Sequence, residues 1–227
     1  MGKMINTNLK DFISGYSIEV IPKTVLKTET FSNILPKSTR VYLAHLKDAD
    51  ITEMVAAAKN LNEDGFKVMP HIPARVIKNQ VMLSDWLSMY QNEAGVDEAL
   101  LLAGGSPEPI GDYDSSIQLI ESGLFDKAGF TRLHVAGHPE GNTDIDPDGG
   151  IKNVSEALSW KQEFFKRTDA KMAIATQFCF DANTVKKWAD DIKQDGIDIP
   201  IHIGVAGPAK LKTLLKFSIE CGIGSSM

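Results

Sequence analysis

Very little of this sequence is cysteine, aromatic or long-run hydrophobic, and each shortage narrows what the chain can be. Its two cysteines, Cys179 and Cys221, stand in separate segments without metal-ligand spacing. That excludes a disulfide scaffold and a zinc ribbon, and predicts free thiols in a reducing cytoplasm. No apolar stretch approaches the roughly 20 residues needed to span a bilayer, and Met1 to Lys10 is too polar for a signal peptide. Basic excess is missing as well: a net charge of −6 provides no phosphate-binding face, which argues against nucleic acid as a partner. No dinucleotide-type glycine fingerprint follows the first apolar run, which weakens a Rossmann reading. What remains is ordinary for a globular protein, with 43% hydrophobic and 24% charged residues over 227 positions. Such a length forms one large domain with a substantial core.

Apolar or β-branched runs recur at 17–22, 40–46, 67–74, 98–105, 132–139, 171–179 and 200–207. Their starts lie 23 to 39 residues apart, the spacing of successive βα units. Between them lie helical patterns at 51–62, 76–93, 115–121, 154–167, 184–194 and 210–220. The first carries Ile51, Met54, Val55, Ala58 and Leu61 as a 3.6-residue stripe; the second carries Ile77, Val81, Leu83, Leu87 and Tyr90. Strict alternation predicts an α/β fold with a parallel sheet, read as a single (β/α)₈ TIM-barrel domain over residues 1–227. Only seven strands are visible, so the last βα unit is expected to be missing from this chain and the natural protein to be longer. An open sheet would leave edges that folds usually cover.

In such a barrel, chemistry collects at strand C-terminal ends. The run Thr176-Gln177-Phe178-Cys179-Phe180-Asp181 sits at one of them. Its Gln amide could read the edge of a flat heterocycle and its rings could stack on one, although a strand-end Gln is often only a cap. Glu19 lies in the apolar strand Ser17-Ile18-Glu19-Val20-Ile21, where burial would make it a general acid or one half of a structural ion pair. His71 and His138 end two further strands, as ligands or as packing residues. Asp144-Ile145-Asp146-Pro147-Asp148-Gly149 imitates the start of a calcium loop, but its twelfth position is Ser155 and no helix precedes it. A surface loop is the better reading.

Taken in order, these strand-end motifs resemble methylenetetrahydrofolate reductases. The matches are Ser17-Ile18-Glu19-Val20-Ile21-Pro22-Lys23, Pro70-His71-Ile72-Pro73-Ala74, Leu101-Leu102-Ala103-Gly104-Gly105, Val135-Ala136-Gly137-His138-Pro139-Glu140-Gly141-Asn142, the Gln177 run, and Gly196 through Val205. The resemblance implies a cytoplasmic flavin oxidoreductase of one-carbon metabolism, with FAD as cofactor and NAD(P)H as co-substrate. It would reduce 5,10-methylenetetrahydrofolate to 5-methyltetrahydrofolate, and it leaves a homo-oligomer open. By position, Glu19 matches the family's general acid and Gln177 the pterin-binding glutamine, with Phe180 and Leu211 on the substrate side. His71, Ala103, Gly104, Gly105, Ala136, His138, Asn142 and Lys161 fall where the family contacts FAD. Four of these positions depart from the family. Ala103 and Gly105 replace an Arg and an Asp, His138 replaces a Tyr, and Leu211 stands where Phe is frequent. The folate side is thus kept better than the flavin side. Weakened flavin binding, a flavin-independent folate enzyme and a non-catalytic folate-binding subunit all follow as expectations.

Overall fold

The fold is known from a computed structural model, which describes residues 13–46, 49–207, 210, 212 and 214. Seven parallel strands occur in sequential order: β1 (Ser17–Val20), β2 (Arg40–Leu43), β3 (Lys67–Pro73), β4 (Glu98–Leu102), β5 (Arg132–Gly137), β6 (Lys171–Thr176) and β7 (Ile201–His202). Between them lie α1 (Pro22–Lys27), α2 (Ile51–Glu63), α3 (Gln80–Ala94), α4 (Ser116–Glu121), α5 (Leu124–Lys127), α6 (Lys152–Phe165) and α7 (Ala182–Gln194), with a 3₁₀ turn at Ala74–Val76. This parallel, neighbour-to-neighbour order is compatible with part of a TIM-barrel-like fold. All seven strand positions agree with the sequence reading. The ladders stop short of the predicted C-terminal limits, because the residues past each end leave the sheet for loops.

Strand composition explains the arrangement. β4 reads Glu98-Ala-Leu-Leu-Leu and β6 reads Lys171-Met-Ala-Ile-Ala-Thr, near-continuous apolar runs typical of strands covered on both faces. β2 through β6 each open on a charged residue, so the sheet's N-terminal edge is polar. There Glu98 and Arg132 are register partners, and the Arg132 guanidinium donates to the Glu98 carboxylate at 3.2 Å.

By its internal contacts the chain groups into two compact units. The first comprises residues up to Pro70 together with Met89–Val96. Val41, Leu43, Met54, Leu61 and Phe66 are among its buried side chains, which accounts for the apolar stripe of α2. The second comprises His71–Ser88 and the residues from Asp97 onward, with a core around Ile72, Leu83, Leu101, Leu133, Val135 and Ile174.

Two predictions from helical periodicity need correction. Val81 is 68% exposed, because α3 begins only at Gln80 and its buried face runs through Leu83, Leu87 and Tyr90. Ile77 is buried, but from the turn that precedes the helix. The short helices α1 and α5 were not foreseen, being too brief to show a period. The predicted helix at 210–220 lies largely outside the described residues, as does Cys221. No helix among the described residues is long and apolar enough to cross a membrane.

Candidate functional site

The second unit brings together most of the predicted positions. β5 and β6 run in register, Ala136 beside Ala175 and Gly137 beside Thr176. The pairing extends one bond further, since the Gln177 N–H donates to the Gly137 carbonyl at 2.9 Å. His138 and Gln177 are therefore the first residues past two adjacent strand ends.

Gln177 is held by its own loop. Its Oε1 accepts the Phe178 N–H at 3.0 Å, which turns the amide NH₂, a double donor, away from the backbone. Phe178 and Phe180 meet edge to face with centroids 5.7 Å apart, and Phe180 keeps 43% of its surface exposed. Asp181 is occupied as the N-cap of α7, accepting from the Asn183 and Thr184 N–H groups. These bonds hold the Asp181 carboxyl below its ordinary range, the Thr184 hydroxyl contributing most. Cys179 is a free thiol that donates weakly to the Asp181 carbonyl at 3.4 Å.

The end of β5 carries a second cluster. Asn142 Oδ1 accepts the Asp144 N–H at 2.9 Å, which directs its NH₂ toward His138 Nδ1, 3.5 Å away. Nδ1 is then the acceptor of the imidazole and Nε2 its donor. Burial, with Lys161 nearby as a second cause, lowers the His138 pKa to about 4, so the ring stays neutral at physiological pH.

Lys161 is the most unusual residue of the unit. It projects from α6, is only 6% exposed, and makes no hydrogen bond or ion pair with any described residue. Burial lowers its pKa to about 8. A buried cation without a counter-ion is costly, and proteins usually pair it. Its neighbour Gln162, equally buried, has a structural role: its Oε1 accepts the Asp198 and Ile199 N–H groups and anchors the segment before β7.

The acidic loop before α6 has a structural role too. Asp146 is 2% exposed, and its two oxygens accept the Asn153 and Val154 N–H groups at 2.8 and 3.0 Å. It caps α6 from outside the helix, leaving no acidic cage. Among the described residues no group of three or more His, Cys, Asp or Glu could hold a metal.

The strand-four positions lie on a long loop. Ala103 and Gly104 are half-buried and Gly105 exposed. Gly104 has φ +98°, and a Cβ there would stand 2.9 Å from Pro73 Cβ, so glycine is required. His71 lies within β3 beside Leu100 and is half-buried. Sequence reasoning passed over Arg75, which immediately follows the His71 motif and binds that loop. It also passed over His134 of β5, which precedes His138 by four residues and meets His202 edge to face at 4.9 Å. In both cases the signal was a polar residue in or beside an apolar strand.

Glu19 belongs to the first unit, in β1 opposite Tyr42. It is exposed, contrary to the burial inferred from its apolar neighbours. Among the described residues β1 pairs only with β2, so an apolar strand sequence did not imply cover on both faces. Leu211 lies outside the described residues. No family model matches this sequence.

Proposed function

We propose that this chain is a methylenetetrahydrofolate reductase-like flavin oxidoreductase, built on a (β/α)₈ barrel of which seven strands are seen. The observation that carries the reading is Lys161. A buried ammonium with no described carboxylate partner, near a neutral His138, suits a ligand that brings its own negative charge or carbonyl oxygens. FAD carries both kinds of group, so the residues fit it.

Lys161 offers a cation and His138 a donor at Nε2, with Asn142 holding that tautomer. Gln177 turns its NH₂ outward as a donor for a pterin edge, and Phe180 offers an open ring face. What FAD supplies when bound is hydride transfer from NAD(P)H to the methylene carbon of 5,10-methylenetetrahydrofolate. Glu19 gives the proton to N10 as the ring C–N bond breaks, a role taken from its place in the first-strand motif.

One feature favours a second reading. Ala103 and Gly105 present no charge or hydrogen-bonding side chain, which suits a folate enzyme that uses no flavin, or a folate-binding subunit. Gently purified protein should show flavin absorbance, or acquire it on titration with FAD, and should then oxidise NAD(P)H with a quinone acceptor. Folate binding with no FAD uptake at high micromolar concentration would favour the second reading. Binding of neither would end both.

A further inference from the structure

Ala103 to Ser115 is an irregular loop of the length that compact domains keep for binding or closure. Its main anchor outside the loop is Arg75. The Arg75 N–H donates to the Ala103 carbonyl at 2.9 Å, and the Arg75 carbonyl accepts the Ile110 N–H at 2.9 Å. Its guanidinium donates through Nη1 to the Ser106 carbonyl at 3.0 Å, and through Nε to Asp114 Oδ1 at 2.6 Å and to the Asp114 carbonyl at 3.2 Å. One arginine thus holds the loop near its start, middle and end. Lys78 adds a fifth point, its carbonyl accepting the Asp112 N–H at 3.0 Å. The approach is so close that a Cβ on Gly111 would lie 2.0 Å from that oxygen. The Arg75 side chain is 13% exposed, while that of its partner Asp114 is 57% exposed.

We propose that Arg75 is the positioning residue of the strand-four loop, holding Ala103-Gly104-Gly105 as a preformed backbone surface for the ligand instead of a closing lid. None of those three residues has a side chain that could grip a ligand, so recognition there must use the main chain. Main-chain recognition requires a backbone already in place. A planar guanidinium reaches carbonyls of two loop segments at once with its donors in a fixed fork, which a flexible ammonium does not offer. The clamp itself stands on geometry alone; its effect on FAD rests on the function proposed above.

Hydrogen exchange in the full chain separates the two. In Arg75→Met, the Ile110 and Asp112 amides should exchange at least about tenfold faster, while amides of α6 keep their rates. Arg75→Lys, which keeps charge and stem and guards against a misfolded Met variant, should show an intermediate acceleration. Wild-type rates at both amides in either variant would overturn the clamp. If the wild type binds FAD, its Kd should rise about tenfold in Arg75→Met, and an unchanged Kd would overturn the positioning role. If the wild type binds no FAD, the functional reading falls and the exchange rates still decide the clamp.

Discussion

Lys161→Met should make this protein more stable at neutral pH and less able to bind its ligand. The ammonium is buried, finds no partner among the described residues, and has its pKa lowered from the ordinary 10.5 to about 8. In the unfolded chain the same amine titrates near 10.5. Between pH 8 and 10.5 the unfolded state therefore holds more protons, and stability rises with pH across that window. Below pH 8 both states are protonated and the folded one carries the full burden. At 1.36 kcal/mol for each pH unit, the drop corresponds to about 3 kcal/mol of destabilisation at pH 7. Methionine fills similar volume without charge and should recover up to that amount, less any packing mismatch. Urea unfolding at pH 7 and pH 10 measures it: the wild type should gain stability toward pH 10, whereas Lys161→Met should start higher and stay flat across the same range. A variant less stable than wild type at pH 7, or one with the same rise, would refute the reasoning. FAD affinity should fall in the same variant, the trade expected where a charge is kept for function.

Three further outcomes are expected. Glu19→Gln should lower methylenetetrahydrofolate reduction by about 10²-fold or more while leaving NAD(P)H-to-flavin electron transfer intact, and full folate turnover would show the carboxyl is not the acid. Tyr90 is wholly buried with no hydrogen-bond partner for its hydroxyl among the described residues, and burial raises its pKa. Tyr90→Phe should then be neutral or stabilising by about 1 kcal/mol in thermal unfolding, and a loss of stability would mean that the hydroxyl has a partner. Asp146→Ala should cost about 1–2 kcal/mol and loosen the first turn of α6, whereas addition of calcium should leave the wild-type melting temperature where it was.

Periodicity and punctuation in the sequence alone located all seven strands and most of the helices. The buried faces of α2 and of the parallel strands were readable because one element's apolar pattern is a local property of the chain. The calcium imitation could be set aside from Ser155 alone. What required the tertiary structure was everything that depends on which element covers which. Glu19 reads as buried from its neighbours, yet is exposed because its strand has only one described sheet neighbour. Val81 fits a helical stripe, but the helix start sets which face it occupies. Asp146 reads as part of a surface loop, yet it is buried against the N-terminus of α6, whose N–H groups it accepts. Lys161 is an ordinary lysine in an amphipathic pattern, and only packing buries it with no counter-charge among the described residues. Arg75 gains its meaning from Ser106 and Asp114, 31 and 39 residues further along the chain. Local sequence determines the elements; burial and partnership are set by contacts between residues far apart in the chain, and these decide which polar groups are left to bind something else.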